Sequence, residues 1–332
     1  MATAMLTTRD ATPPTAQGEP RQPTDQPVQQ ITVGLVNNMP DAAIRATERQ
    51  FASLLRADGL EVRLRFYHLP QVIRSPAART TFLTSYGAMD ELRSSGVDGL
   101  IVTGAEPQAP RLRDEPYWQA LTELIDWAQD NTISTIWSCL AAHAAVLHLD
   151  GVERRPLPRK LFGVFECSKA GEHRMLADAP SQWPVPHSRL NDLDRAELSA
   201  RGYVVLSSSP IAGADIFVKQ QNSLFVFFQG HLEYESQTLL REYIRDVTRF
   251  INGERDRYPD MPHGYFSAAM GAELERIRSQ AIADRKAEIL AAVAESAVAR
   301  SLTNTWRAPA ASIYGNWLRY LADEKRGRAG RR

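Results

Sequence analysis

The fold is decided by a stretch near the middle of the chain, Thr135-Ile136-Trp137-Ser138-Cys139-Leu140-Ala141-Ala142-His143-Ala144-Ala145-Val146. The β-branched run that ends at Trp137 predicts a buried parallel strand, and the alanine-rich run after Cys139 predicts a helix without Gly or Pro. Cys139 therefore lies at a strand-to-helix turn. There, the free amides and positive dipole end of a helix favour a thiolate and can receive an oxyanion. A buried core cysteine is the alternative interpretation.

The residues before this stretch alternate between strand and helix patterns, which indicates an α/β fold. Three apolar runs predict strands at 31–36, 61–67 and 97–105. Two further runs predict helices at 42–57 and 117–130. Strands that alternate with helices at this spacing are typical of a mainly parallel sheet flanked by helices. Because ligands bind at the carboxyl ends of such strands, the loops 37–40 and 104–108 should face the same crevice as Cys139.

The second half of the chain predicts further strands, some of them antiparallel, at 161–166, 203–206, 214–218 and 224–228. The segment Pro184–Arg189 predicts a rigid loop whose polar end could meet a ligand. After the last strand come Gly230, His231 and Glu233, and extended backbone would put the last two side chains on one side. A Glu beside a His can stabilise the imidazolium that activates a cysteine. A solvated strand end is the alternative interpretation.

Composition excludes several classes of protein. The 332 residues are 43% hydrophobic and 23% charged, which is enough to bury a large core. Lys and Arg together number 39, as do Asp and Glu, so no net charge favours nucleic acid or an anionic membrane. Two cysteines in a chain of this length indicate a reducing compartment, and no apolar run approaches the roughly 18 to 20 residues that cross a bilayer. These observations predict a cytoplasmic protein without a signal peptide.

The sequence divides into four segments. Residues 1–30, with five prolines among Gln, Thr and Ala, predict a disordered leader. Residues 31–266 predict the catalytic domain, and 267–322 predict a helical extension that packs on it. A single amphipathic helix from Ser267 to Arg300 could instead mediate a homodimer. Residues 323–332 predict a frayed basic tail, for which no nucleic-acid partner is expected.

A series of short motifs occurs in one order along the chain: Asn38-Met39-Pro40, Thr47-Glu48, Asp98 to Ala105, Tyr117-Trp118, Ser134-Thr135, Lys160 to Glu166, Pro186-His187-Ser188-Arg189, Gly230 to Tyr234, Arg245-Asp246, Asn304 to Arg307 and Asn316-Trp317-Leu318. In these motifs the chain resembles homoserine O-acyltransferases of the homoserine O-succinyltransferase type, which have a class I glutamine-amidotransferase-like, flavodoxin-like fold. The resemblance runs from about Ile31 to Tyr320.

The resemblance implies ping-pong acyl transfer from acyl-CoA to L-homoserine, in methionine synthesis, with small-molecule substrates and no bound cofactor. Cys139 would carry the acyl group, His231 would accept the proton, and Glu233 would be its partner. Three positions match substrate contacts of the family, Lys160, Ser188 and Arg245. These residue types suit the task, because a guanidinium binds a carboxylate and Lys and Ser hold polar groups. The histidines His68, His148 and His173 show no metal-ligand spacing, so no metal is predicted.

The chain also departs from the family pattern around the expected site. Leu140 and His143 replace an aromatic residue and a Gln, and Asp41 stands where a lysine is common. Arg45 or Arg49 could replace that lost cation. His143 could approach the site or belong to the core, and Cys167 is predicted to be a structural thiol.

The acyl donor and the acceptor remain open at this stage. The position that helps the family to choose between donors aligns with Gln108, whose neutral amide decides nothing. Arg111 and Arg113 could meet a succinyl carboxylate, which slightly favours succinyl-CoA over acetyl-CoA. Three alternatives remain: the same chemistry on another hydroxy amino acid such as L-serine, a glutamine-amidotransferase-like hydrolase, and a non-catalytic binding protein.

Overall fold

The computed structural model describes residues 29–286, 288–298 and 302–330. The predicted leader lies outside the described residues, except for its last two positions, which already belong to the first strand. The described strands are β1 Gln29–Val36, β2 Leu60–Tyr67, β3 Gly99–Val102, β4 Ser134–Ser138, β5 Arg155–Lys169, β6 Gln182–Asp192, β7 Val204–Val205, β8 Ser207–Ser209, β9 Gly213–Ala214, β10 Ile216–Gln220 and β11 Leu224–Phe228. The described α-helices are α1 Ile44–Leu54, α2 Pro76–Ser85, α3 Met89–Ser94, α4 Trp118–Asn131, α5 Leu140–Asp150, α6 Arg195–Ala200, α7 Thr238–Ile251, α8 Ala268–Ala283, α9 Glu288–Val298 and α10 Arg307–Ala329.

The larger sheet has the strand order β2-β1-β3-β4-β11-β10-β7. Its first five strands are parallel, and β10 and β7 continue it antiparallel. Since β11 pairs with β4 from Leu224 opposite Ser134 to Phe228 opposite Ser138, both strands end side by side. The α/β class and the mainly parallel sheet predicted from the sequence are confirmed.

Helices cover both faces of the larger sheet. Trp137 and Phe225 belong to the core on the side of α4 and α5. Ile136 belongs to the core on the opposite side, which contains residues of α1 and α10. The strands β3, β4 and β11 are buried along their whole length, as strands covered on both faces must be.

A smaller antiparallel sheet has the order β6-β5-β8-β9. The prediction of a loop at Pro184–Arg189 is wrong, because this segment lies within β6. Proline is tolerated there because β6 is an edge strand, and the missing N–H groups face away from the partner strand. The carbonyl of Pro186 also points away from β5 and accepts a hydrogen bond from the His231 N–H at 2.7 Å.

The C-terminal part of the chain is helical but differs in detail from the prediction. The single helix predicted from Ser267 to Arg300 is wrong, since extended backbone at Asp284 (φ −152°, ψ 115°) ends α8 before α9 begins. Both helices share a core with α7. Helix α10 continues through most of the segment predicted as a frayed tail, because Lys325 binds Asp98 at 2.8 Å. No helix in the described ranges is long and apolar enough to span a membrane.

Candidate active site

Cys139 occupies the sharp turn between β4 and α5. Its backbone has φ 52° and ψ −112°, a strained conformation for any residue with a Cβ. The Cys139 N–H donates to the Phe228 carbonyl at 2.7 Å, which ties the turn to the end of β11. Leu140 and Ala141 are the first two residues of α5, so their amides have no acceptor within the helix. The thiol therefore lies beside two amides that can receive an oxyanion.

The loop after β3 lies directly against the start of α5. A Cβ on Gly104 would lie 3.1 Å from the Leu140 nitrogen and 2.8 Å from the Leu140 Cβ. Such a close approach leaves no room for a side chain at this position. The loop from Gly104 to Gln108 thus faces the same crevice as Cys139, as the sequence predicts.

His231 and Glu233 form a buried pair next to the cysteine. The His231 Nδ1–H donates to Glu233 Oε1 at 2.8 Å, and both side chains are about 5% exposed. A turn closed by the Tyr234 N–H and the His231 carbonyl brings the two side chains together, so the expectation of extended backbone is wrong. The ring of Tyr234 stacks on that of His231, with the ring centres 4.3 Å apart.

The electrostatic environment favours the imidazolium form of His231. Burial lowers the pKa of His231, but the negative charges of Glu233 and of the Cys139 thiolate, with hydrogen bonds to both side chains, raise it well above its ordinary value. Because Nδ1 binds Glu233, Nε2 is the nitrogen that faces the Cys139 sulfur. The arrangement can hold a thiolate and an imidazolium as an ion pair.

Two acidic residues of α7, which the sequence analysis did not assign to the site, bring Lys160, Ser188 and Arg245 together. Ser188 donates to Glu242, and Lys160 lies 3.4 Å from Glu242 and 3.0 Å from Asp246. Arg245 donates to Asp246 at 3.0 Å. Glu242 and Asp246 are four residues apart and share one face of α7. That spacing, beside Arg245, was the signal that could have identified them.

Glu242 connects this group of side chains to the histidine. Tyr234, whose ring stacks on His231, donates its hydroxyl to Glu242 at 2.6 Å. Burial raises the pKa of Glu242, but Lys160, the hydroxyls of Ser188 and Tyr234, and Arg245 together lower it below its ordinary value. Glu242 is therefore an ionised, partly buried carboxylate in a region that holds both signs of charge.

Gln108 lines a cavity of about 240 Å³ at the ends of β1 and β3, together with Asn38 and Tyr117. Its N–H donates to Glu115 at 2.9 Å. The two arginines expected near the acyl donor are exposed and paired elsewhere. Arg111 lies 2.8 Å from Asp114, and Arg113 lies 3.8 Å from Glu153.

The loop that contains Asp41 is bound by a cation from another segment, which the sequence did not reveal. Arg74 is 7% exposed and binds the carbonyls of Asn37 and Met39 and the carboxylate of Asp41. Arg45, proposed as a replacement for a missing lysine, is exposed and pairs with Glu48 at 2.9 Å. Arg74 thus neutralises Asp41 from outside the motif.

His143 belongs to the core. Its Nε2 donates to the Gln229 side chain at 2.9 Å, and burial together with the charge of Arg189 lowers the pKa of His143 to about 3. The histidine is therefore neutral.

Cys167 is also buried, beside His187 and Asp215, with one potential metal-ligand atom of each within 4.8 Å of the others. Arg189 donates to His187 Nδ1 at 3.4 Å, which leaves Nε2 protonated and facing Asp215 at 3.6 Å. Burial raises the pKa of the Cys167 thiol. Asp215 accepts the Gly230 N–H at 3.2 Å, so the group supports the backbone next to His231.

Gly230 provides a test of this support. A Cβ there would lie 2.4 Å from Val185 Cγ1 and 2.7 Å from Asp215 Oδ1, which a β-branched neighbour cannot avoid. We expect Gly230→Ala to lose about 1–3 kcal/mol of unfolding free energy and roughly 10-fold or more in kcat, because His231 is displaced. Gly171→Ala, where a Cβ meets nothing within 4 Å, is the control for denaturation and kinetics. If Gly230→Ala kept the stability and the kcat of the wild type, as Gly171→Ala should, support of His231 by this group would be refuted.

Fold and site together define an α/β enzyme with a cysteine at a strand-to-helix turn that faces a buried histidine–glutamate pair. The family model of homoserine O-succinyltransferases matches residues 15–327, and the chain belongs to this family. This membership confirms the resemblance found in the sequence.

Individual relatives cover most of the chain. A homoserine O-succinyltransferase from Rhodopseudomonas palustris is 51% identical over 296 residues, which are 89% of either chain. One from Methylorubrum extorquens is 45% identical over 90% of this chain and 89% of its own. Among solved structures, a glutamine amidotransferase from Methylobacillus flagellatus is 15% identical with a TM-score of 0.49, over 89% of this chain and 96% of its own.

Proposed function

We propose that this protein transfers the succinyl group of succinyl-CoA to the hydroxyl of L-homoserine, in preference to an acetyl group. The observation that carries the proposal is the contact of Cys139 with the His231–Glu233 pair where β4 and β11 end. The relatives named homoserine O-succinyltransferase support the choice of donor and acceptor. The reaction would supply methionine synthesis in the cytoplasm.

The first half-reaction uses the thiolate and the imidazolium. The Cys139 sulfur attacks the thioester carbonyl of succinyl-CoA, and the amides of Leu140 and Ala141 stabilise the oxyanion that forms. When the bond between carbonyl carbon and CoA sulfur breaks, the His231 imidazolium protonates the leaving thiolate. The products are free CoA, a succinyl thioester on Cys139 and a neutral His231.

The second half-reaction reverses the proton transfer. Neutral His231 takes the proton of the acceptor hydroxyl while its oxygen attacks the thioester carbon. The tetrahedral intermediate collapses, the Cys139 thiolate leaves, and the O-succinyl ester is released. His231 is again an imidazolium, which the Glu233 carboxylate stabilises through Nδ1.

The side chains around α7 suit an amino acid as acceptor. An amino acid carries an ammonium and a carboxylate, and this region offers carboxylates on Glu242 and Asp246 with cations on Lys160 and Arg245. Opposite charges placed in this way can bind both ends of a zwitterion. The hydroxyl would then be directed toward His231, next to Tyr234.

CoA release from purified protein tests the proposal. Succinyl-CoA and acetyl-CoA are each combined with L-homoserine, L-serine or no acceptor, and we expect sustained release with succinyl-CoA and L-homoserine. Donor alone should yield one equivalent of CoA and an intact protein whose mass increases by one succinyl group. CoA release with L-serine but not with L-homoserine would show that L-serine is the acceptor. Ammonia release from glutamine, without CoA release from any pair, would establish the hydrolase alternative.

A further inference from the structure

Tyr234 directly follows the His231–Glu233 pair, and its backbone is held from the C-terminal part of the chain. The Trp306 indole N–H donates to the Tyr234 carbonyl at 2.7 Å, and the Asn304 side-chain amide donates to the same carbonyl at 3.2 Å. Trp306 is 1% exposed, so its hydrogen bond is shielded from water. Both donors lie 70 or more residues beyond the carbonyl in the sequence, and both contacts are therefore tertiary.

The side chain of Tyr234 is fixed at its other end. Its hydroxyl donates to Glu242 Oε1 at 2.6 Å. The ring is thereby held between the carbonyl and the hydroxyl, and it lies nearly parallel to the His231 imidazole, with an angle of 16° between the two planes. At a separation of 4.3 Å between ring centres, the face of the tyrosine ring attracts the imidazolium and limits its rotation.

The same residue also fixes the turn that carries the catalytic pair. The Tyr234 N–H donates to the His231 carbonyl at 3.1 Å, so a displacement of Tyr234 would move both the stacked ring and the turn. The segment that holds Tyr234 is itself anchored. Arg307 donates to the hydroxyl of Ser53 at 3.0 Å and to its carbonyl at 2.7 Å, which ties the start of α10 to α1.

We propose that Trp306 and Asn304 position the His231 imidazole for acyl transfer, through the carbonyl and the ring of Tyr234. Both are positioning residues, because they contact Tyr234 and act on proton transfer only through His231. A misplaced general acid or base loses rate steeply with small displacements, so a fixed ring plane matters for this step. The inference rests on the proposed function, since it assigns residues to the proton transfer of that reaction.

Two variants remove the donors with little change in shape. Trp306→Phe removes the indole N–H and keeps an aromatic ring, and Asn304→Leu removes the amide at a similar volume. We expect Trp306→Phe to lower kcat roughly 10-fold with little change in KM for either substrate. Asn304→Leu should lose less, because its hydrogen bond is longer. In both variants the alkaline limb of the pH–rate profile should move to lower pH, since a displaced Tyr234 ring stabilises the imidazolium less.

Helix α10 offers a matched control for each variant. The Trp317 indole is 0% exposed and donates to Ser134 Oγ at 2.9 Å, at the end of β4 away from Cys139. The Asn316 side-chain amide donates to the Ala177 carbonyl at 2.6 Å. Trp317→Phe and Asn316→Leu remove the same chemical groups and should lower the unfolding midpoint in denaturant by a similar amount. We expect both controls to keep the kcat and the pH–rate profile of the wild type.

Alkylation of Cys139 separates the outcomes without any substrate. Iodoacetamide should label Cys139 more slowly near neutral pH in Trp306→Phe and Asn304→Leu than in their controls, because the imidazolium no longer faces the sulfur correctly. Equal losses of kcat in variants and controls would show that Trp306 and Asn304 act on folding alone and would overturn the inference. An unmoved alkaline limb with unchanged alkylation would overturn it as well. A wild-type protein that releases no CoA would refute the proposed function, whereas slower alkylation in the two variants would still support the positioning of His231.

Discussion

Cys139→Ala should lower kcat by about 10⁴-fold or more while the protein remains folded. In the proposed mechanism the Cys139 sulfur accepts the acyl group, and water positioned by the remaining residues cannot replace it. Turnover of succinyl-CoA with L-homoserine measures the loss. The mass of the intact protein incubated with donor alone should also show no acyl adduct. Retention of ordinary turnover would refute the assignment of the nucleophile.

The strained backbone of Cys139 makes stability an independent test. Alanine keeps the Cβ and therefore the strain at φ 52°, whereas glycine adopts this conformation freely. We expect Cys139→Gly to be about 1–3 kcal/mol more stable than Cys139→Ala in denaturant unfolding, although both are inactive. Equal stability of the two variants would show that the turn stores no strain.

Iodoacetamide supplies the matched chemical control. Cys139 should be alkylated near neutral pH, since it faces an imidazolium. Cys167 is 0% exposed, and burial raises its pKa, so it should react only after unfolding. Peptide mapping distinguishes the two sites, and preferential labelling of Cys167 would contradict both assignments.

The sequence predicts the parts of this site that local pattern determines. The turn at Cys139 follows from an apolar strand that runs into an alanine-rich helix, and the same type of strand leads to Gly230 and His231. The pairing of β4 with β11 then brings the two strand ends together. That step needs only the rule that parallel strands present their carboxyl ends at one edge of the sheet.

Features that depend on contacts between distant segments could not be predicted in this way. Pro184 and Pro186 favour the prediction of a loop. Only the edge position of β6 makes them compatible with a strand. Lys160 and Ser188 indicate substrate contact by residue type, but their partner Glu242 lies more than fifty residues away on α7. The spacing of Glu242 and Asp246 marks one face of α7, but nothing in the sequence pairs that face with Lys160 on β5 and Ser188 on β6.

The site is assembled where the two sheets meet. The larger sheet contributes the cysteine and the histidine, and the smaller sheet contributes Lys160 on β5 and Ser188 on β6. The hydrogen bond from the His231 N–H to the Pro186 carbonyl joins the two sheets beside the His231–Glu233 pair. The orientation of His231 therefore depends on the smaller sheet as well as on Glu233. Pro186 can take part because its carbonyl, on the free edge of β6, accepts the His231 N–H.

Glu233→Gln should reduce kcat/KM for succinyl-CoA roughly 10²- to 10³-fold near neutral pH. The carboxylate raises the pKa of His231 against the effect of burial, so its removal lowers that pKa and depopulates the imidazolium. In the proposed mechanism the imidazolium protonates the leaving CoA thiolate, so its loss at high pH would limit the rate. The alkaline limb of the pH–rate profile should therefore move to lower pH in the variant.

Stability should change with pH in a related way. The folded pKa of His231 is above its ordinary value of 6.5, so its charged form stabilises the fold fully below that pH. This contribution is lost as the pH rises through the raised pKa. The excess of unfolding free energy of wild type over Glu233→Gln should therefore shrink as the pH rises above 6.5. Glu235→Gln removes an exposed carboxylate that lies 3.7 Å from Arg241 and should leave both profiles unchanged. Identical alkaline limbs in wild type and Glu233→Gln would show that Glu233 does not hold the proton on His231.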